Sequence, residues 1–271
     1  MTPASTDLPR LTAARAPLTR PVEVQGDSDI AQGIGSMGSR SLYIGGSAML
    51  TASEQTIDTG RKLAADALEA AAPDIQYREG RFSVAGTDLG IGLFDLAKRQ
   101  PEKRIAITTK QEVGGPSWPN SCHVCEVEVD PDTGEVAIVK YTTLDDVGRV
   151  INPLIVSGQV QGGIAQAVGQ ALLEHARYDP ESGQLLTGSL MDYCVPRADD
   201  LPSIATFTDE STPCRINPLG AKGVGELGTV GGTPTVINAL LDALRPLGVK
   251  HIEMPATPER VWRAMREAKA A

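Results

Sequence analysis

The chain has 271 residues, 41% of them hydrophobic and 22% charged, the make-up of a globular protein with a sizeable core. A net charge of −9 provides no basic footprint for nucleic acid, and no apolar run is long enough for a membrane-spanning helix. Aromatic residues make up only 4%, against 28 glycines and 19 prolines, so turns and close backbone approaches are expected throughout.

Residues 1–21 carry Arg10, Arg15 and Arg20 among Ser, Thr, Ala and Pro. They lack the apolar stretch of a secretory signal. Residues 1–25 read as a disordered or extended leader, and 26–271 as one domain without a dividing linker. The ordered part opens on Gly26-Asp27-Ser28-Asp29. Gly38-Ser39-Arg40-Ser41 then precedes a helix expected over 45–71, with Ile57, Leu63, Ala64, Ala67 and Leu68 on its inner face. Small residues, hydroxyls and a guanidinium ahead of a helix suit an anion; a plain turn with a solvated Arg also fits.

Residues 75–84 read as a hairpin around Glu79-Gly80, 93–99 as a short helix and 105–109 as a strand. A second hairpin pairs 122–129 with 135–144 across Asp130-Pro131-Asp132-Thr133-Gly134. Cys122 and Cys125 have C-x-x-C spacing, but in a strand they face opposite sides, which disfavours joint metal binding. With Cys194 and Cys214 they read as thiols of a reducing compartment, the cytoplasm. Asp145-Asp146 has no metal-ligand spacing around it.

Residues 159–174 form the most informative helix. Val160, Ile164, Val168 and Leu172 make an apolar stripe, with Gln159, Gln166 and Gln170 opposite it. Gly162, Gly163 and Gly169 flank the glutamines. A backbone neighbour accounts for the glycines; a flat polar ligand accounts for glycines and amides together, and the reading favours the ligand.

Residues 220–234 hold six glycines around one carboxylate, Glu226, with Lys222 four residues before it. Thr233 and Pro234 look like the N-cap and first position of the following helix. Residues 249–255 read as a closing strand. Thr257-Pro258 opens a last helix with Val261, Trp262 and Met265 inside. His123, His175 and His251 show no catalytic spacing and read as structural. Two G-x-G-x-x-G matches, at Gly33 and Gly223, lack the preceding strand of a dinucleotide fold. Hairpins interspersed with helices indicate an α+β fold of mixed sheets with packed helices.

Taken together, Gly38-Ser39-Arg40-Ser41, residues 145–153, Gly158-Gln159-Val160-Gln161-Gly162-Gly163-Ile164-Ala165-Gln166, Met191-Asp192-Tyr193, Lys222-Gly223-Val224-Gly225-Glu226 and residues 255–260 resemble a known family. The chain resembles the C-terminal portion of the molybdopterin-binding large subunit of molybdenum hydroxylases, among them xanthine dehydrogenase, aldehyde oxidase and carbon monoxide dehydrogenase. The resemblance implies the fold of that subunit's second molybdopterin-binding domain and a molybdenum–molybdopterin cofactor, with the cytosine dinucleotide form as one option. It implies that Glu226 is the base, taking a proton from a molybdenum-bound hydroxyl that attacks an electron-poor carbon. It implies that Gly38, Ser39, Arg40 and Ser41 lie against the cofactor, that Gln166 bonds the pterin, and that Lys222, Gly223 and Gly225 lie close by.

The reaction so implied is hydroxylation of a heterocycle, aldehyde or similar small substrate, with water as oxygen source. Electrons would leave through 2Fe-2S clusters and FAD on partner subunits. Family large subunits are far longer than this chain. A second molybdopterin-binding chain is therefore expected to supply the missing part, and exposed apolar surface should mark its interface. An orphan non-catalytic fragment and a stand-alone dinucleotide-binding module are the alternatives.

Overall fold

A computed structural model of the chain describes residues 35–112 and 114–270. The expected leader, Gly26-Asp27-Ser28-Asp29 and Gly33 lie outside these residues. The described chain divides into two compact units, one of residue 35 with 44–112, the other of 36–43 with 114–270.

Helix α1 (Ser41–Leu68) begins in the second unit and is the long helix of the first. The apolar positions expected on its inner face pack around the fully buried Phe82, with Ile75, Ile91 and Leu96. Gly60 makes the closest approach: a Cβ there would lie 2.2 Å from Phe82 Cζ. Strands β1 (Ile75–Arg78), β2 (Arg81–Val84) and β3 (Gly90–Gly92) form an antiparallel meander, followed by the short helix α2 (Leu93–Lys98). Glu79 and Gly80 both have positive φ, as the tight turn between β1 and β2 requires. The strand expected over 105–109 does not form; Ile105 packs on this core, but no neighbouring strand offers the segment a ladder.

The second unit is built on strands β4 (Asn120–Val129) and β5 (Val136–Asp146), paired antiparallel, with β6 (Ile204–Thr208) parallel to β5. The hairpin turn matches its sequence signal: Asp130 Oδ1 accepts from the backbone of Asp132 at 2.7 Å. One face of the sheet carries Cys125, Tyr141 and Thr143 inward. The other leaves Val124, Leu144 and Phe207 exposed, with Cys122, Leu144 and Phe207 in one row. All four cysteines are free, and Cys122 is exposed while Cys125 is half-buried, as strand alternation demands. Burial raises the Cys125 thiol to about 11, so it stays protonated.

Helix α3 (Pro153–Val168) starts where Asn152 caps it, its side chain accepting from Ile155 N at 3.3 Å with Pro153 in the first position. Its stripe of Val160, Ile164 and Val168 is buried, and a π turn over Gly169–Leu173 buries Leu172 as well. Helix α4 (Leu227–Leu244) lies against α3. The contact is made of small residues. A Cβ on Gly228 would stand 2.4 Å from Val160 O, one on Gly163 would stand 2.9 Å from Gly228 Cα, and one on Gly232 would stand 2.6 Å from Ala167 Cβ. On another side of α4, a Cβ on Gly231 would stand 2.8 Å from His123 Nε2. Helix α5 (Pro258–Ala270) closes the unit.

Three sequence expectations fail here. Helix α4 starts seven residues before Pro234, which is therefore interior. Glycines 228, 231 and 232 are helical because their bare backbone packs on α3 and β4, and the apparent Thr233-Pro234 cap is a mid-helix feature. Residues 249–255 form no strand; Val249 and Ile252 bury at a spacing of three instead of alternating. Trp262 is exposed, with the Arg266 guanidinium 5.0 Å from its ring centroid, while Val261 and Met265 fill the core as expected. Among the described residues no helix is long and apolar enough to cross a membrane.

Beneath α4 lies a buried polar cluster. Asp145, fully buried, accepts from Ser121 at 2.5 Å and from Thr143. His123 Nδ1 lies 2.9 Å from Tyr141 Oη, and its Nε2 has no hydrogen-bond partner and stands 3.8 Å from Asp145. Burial holds the His123 pKa below its ordinary value, against the pull of Asp145.

Gly162 faces open space among the described residues. Gly162→Ala should therefore stabilise by about 0.5–1 kcal/mol, while Gly163→Ala, meeting α4 backbone, should destabilise by about 1–3 kcal/mol; urea unfolding of both variants separates the two. His123 is held neutral in the fold, so its share of stability is complete above the unfolded imidazole pKa of about 6.5 and is lost as pH falls below it. The urea midpoint should drop on going from pH 8 to pH 5, and His123→Gln should flatten that slope.

Candidate functional site

Glu226 is the N-cap residue of α4, and its carboxylate is exposed. The chain reaches it through a loop pinned to the end of β5. Gly220 O accepts from Arg149 N at 2.8 Å and from Cys214 N at 2.9 Å, and Lys222 N donates to Val147 O at 2.8 Å. Gly148 has φ +63°, and a Cβ there would stand 2.3 Å from Gly220 O, so the crossing requires glycine. Lys222 is 8% exposed and its Nζ lies 2.5 Å from Asp146 Oδ2. The acidic pair thus serves two ends: Asp145 turns into the core, and Asp146 holds Lys222.

The Gly38-Ser39-Arg40-Ser41 segment comes to this loop within the same unit. Gly38 and Ser39 have φ of +60° and +57°. Ser39 Oγ donates to Glu226 Oε2 at 2.8 Å and accepts from Glu226 N at 2.9 Å. A Cβ on Gly223 would stand 2.8 Å from Ser39 Cβ, and one on Gly225 would stand 3.2 Å from Ser39 Oγ. Gly223 N donates to the buried Ser117 Oγ at 3.0 Å. Ser41 Oγ bonds Ser36 Oγ, and Arg40 is half-buried.

The glutamine face joins through α4. Thr229 Oγ1 lies 3.0 Å from Gln166 Oε1 and 3.1 Å from Gly163 O, and Thr233 Oγ1 lies 3.1 Å from Gln170 Oε1. Gln159 Oε1 would stand 3.4 Å from a Cβ on Gly225. Two of the glycines have their own explanations: Gly163 packs on α4 and Gly169 on Pro196 and Glu174, while a Cβ on Gly162 would meet nothing among the described residues. Packing therefore accounts for the buried glycines without a ligand. Gln159, Gln166 and Gln170 are all exposed.

Glu226, Ser39, Gly223, Gly225 and Lys222 are thus brought together on one loop system, with Gln166 bonded one turn along α4. Three contributors escaped the sequence reading. Ser117 has no motif around it. Asp146 is visible only once Lys222 is beside it. Thr229 looked like part of a loop. Among the described residues no group of three or more His, Cys, Asp and Glu could hold a metal ion.

A family model for a molybdopterin cofactor-binding domain matches residues 21–202. The chain belongs to that family. It is 36% identical to the 6-hydroxypseudooxynicotine dehydrogenase complex subunit gamma of Paenarthrobacter nicotinovorans, over 86% of this chain and 30% of that protein. It is 34% identical to the carbon monoxide dehydrogenase large chain of Hydrogenophaga pseudoflava, over 91% of this chain and 32% of that one. Among solved structures, reconstituted CO dehydrogenase from Oligotropha carboxidovorans matches with a TM-score of 0.76 and 32% identity, over 90% of this chain and 31% of that chain. Quinoline 2-oxidoreductase from Pseudomonas putida 86 matches with a TM-score of 0.74 and 34% identity, over 87% and 31%. The α+β fold and the molybdenum hydroxylase resemblance read from the sequence hold. The chain spans about a third of the length of these relatives.

The loop system depends on the Lys222–Asp146 pair. Lys222→Met leaves a carboxylate without its cation and should destabilise by about 3 kcal/mol, whereas removing both charges should cost less than removing either. A thermodynamic double-mutant cycle on urea unfolding checks this.

Proposed function

We propose that the chain is the base-bearing part of the molybdenum-cofactor site of an oxidoreductase that hydroxylates a heterocycle, an aldehyde or a similar small substrate, with water as oxygen source. The observation that supports this reading most is Glu226 itself. It is an exposed carboxylate at a helix start, fixed at one oxygen and set among hydroxyl, amide and bare backbone groups. The donor set fits a flat polar heterocycle with an anionic end. The Gln166 and Gln159 amides can donate and accept, Arg40 and Ser41 suit an anion, and the surrounding loops are glycine-rich.

On this reading Gln166, Gly38, Arg40 and Ser41 hold the cofactor, and the Ser39 hydroxyl holds Glu226. Lys222 acts from beneath, keeping the Gly223–Gly225 backbone on the end of β5. When bound, the cofactor supplies the two-electron oxidation of the substrate and the activation of water. Glu226 takes up the proton released in that reaction at the carboxylate oxygen that Ser39 does not occupy, and passes it to solvent, to which it is open. Its position at the N-terminus of α4 places backbone N–H groups and positive potential near any developing negative charge.

A second molybdopterin-binding chain, an iron–sulfur subunit and an FAD subunit complete the proposed assembly. Support comes from the relatives, which are large chains and complex subunits about three times the length of this chain. The exposed row of Cys122, Leu144 and Phe207 is surface of the kind such a partner would cover. The free cysteines suit a cytoplasmic location. The relatives' names state molecules as different as carbon monoxide and nicotine.

The test is the assembly purified from its native host, with and without Glu226→Gln. Turnover should fall on the order of 10²–10⁴-fold while molybdenum content stays unchanged. Loss of the metal together with turnover would make Glu226 a structural residue and remove it as base.

A further inference from the structure

The best-defined contact at the site lies between two residues 187 positions apart. Ser39 Oγ donates its one proton to Glu226 Oε2 at 2.8 Å and accepts the backbone N–H of the same residue at 2.9 Å. A hydroxyl has one donor and two lone pairs, so both bonds form at once. They close a small ring that runs through the Glu226 side chain and its own backbone. The carboxylate can then swing only by breaking the first bond, and the N-cap can shift only by breaking the second.

The surroundings are built for Ser39. Its φ of +57° is one a non-glycine residue seldom adopts. The two glycines that flank Val224 leave the space it fills. A Cβ at Gly223 would meet Ser39 Cβ at 2.8 Å and Ser39 O at 3.0 Å, and one at Gly225 would meet Ser39 Oγ at 3.2 Å. The close approach that these glycines advertise in the sequence is thus taken up by a residue of this same chain. A strained backbone conformation held against two bare glycines marks a position where one side chain has to stand in one place.

We infer that Ser39 is the positioning residue of Glu226: it immobilises one carboxylate oxygen and leaves Oε1 as the oxygen that accepts the proton. This rests on the reading of Glu226 as base. The role differs from that of a cofactor contact, which the 38–41 segment also offers through Arg40 and Ser41. It explains why a serine, and not the glycine that φ +57° favours, stands between Gly38 and Arg40.

Ser39→Gly is the test variant, because glycine accepts this backbone conformation and the substitution removes only the CH₂OH group. Two readouts are needed. The first is amide hydrogen exchange of Glu226 in the isolated full chain. That N–H precedes the helical ladder and its hydrogen bond goes to Ser39 Oγ. Its protection should therefore fall at least tenfold in Ser39→Gly, while the amides of α3 keep theirs. The second is turnover and metal content of the native assembly. kcat should fall on the order of 10²-fold, as for a displaced catalytic group, with KM and molybdenum content unchanged. Unchanged exchange at Glu226 would overturn the inference. So would loss of molybdenum in proportion to turnover, which would make Ser39 a cofactor ligand. If instead Glu226→Gln retains turnover, the base reading fails, while the exchange result still reports the Ser39 bond by itself.

Discussion

The second unit depends on the near-contact of two helices through residues with a methyl group or no side chain at all. Gly163 and Ala167 on α3 meet Gly228 and Gly232 on α4, close enough that an added methyl would strike backbone at Gly163 and Gly228 and the Ala167 Cβ at Gly232. Each pair is spaced by four, so each lies on one face of its helix. This approach sets the first turn of α4 directly on α3 and lets Thr229 reach Gln166 and Gly163 O. The residue that begins α4 is Glu226. The position of the carboxylate therefore follows from how tightly two backbones pack, and the amide face of α3 follows with it.

The remaining supports carry the site from two further directions. From below, the end of β5 splits its two aspartates between the core and Lys222, tying the glycine loop to the sheet. From the other side, the 38–41 segment docks on Gly223 and Gly225. Neither is costly in surface charge. Asp145 is satisfied by hydroxyls, and Lys222 and Asp146 neutralise each other, so the site rests on paired groups instead of bare ions.

Much of this was legible in the sequence, for identifiable reasons. The hairpins announced themselves through Glu79-Gly80 and Asp130-Pro131-Asp132-Thr133-Gly134, because such turns depend on local chemistry. The α3 stripe was visible because burial imposes the helical period on apolar residues. The motifs around Ser39, Gln166 and Glu226 pointed to the family because together they are specific. What escaped was decided by partners far away in the chain. Glycines 228, 231 and 232 look like a loop until α3 and His123 are set beside them. Thr233-Pro234 mimics a helix start when nothing marks the true one. Residues 105–109 and 249–255 have strand-like composition, but a strand needs an edge to pair with. Gly162, Gly163 and Gly169 were read as room for a ligand; the helix neighbour accounts for Gly163, and Pro196 with Glu174 for Gly169.

Pro234 has a consequence for α4. It has no N–H, so Val230 O loses its partner in the helical ladder, and the ring crowds that carbonyl. The hydroxyls of Thr233 and Thr235 bond Thr229 O and Gly231 O on either side of the gap. The turn that bears Glu226 lies before this gap. Contact with α3 and with Ser39 adds to the helical bonds that hold this turn. One ladder bond fewer joins the Glu226 end of α4 to the remainder, and Leu227, buried in the same core as Val236, Leu240 and Leu244, ties the two together.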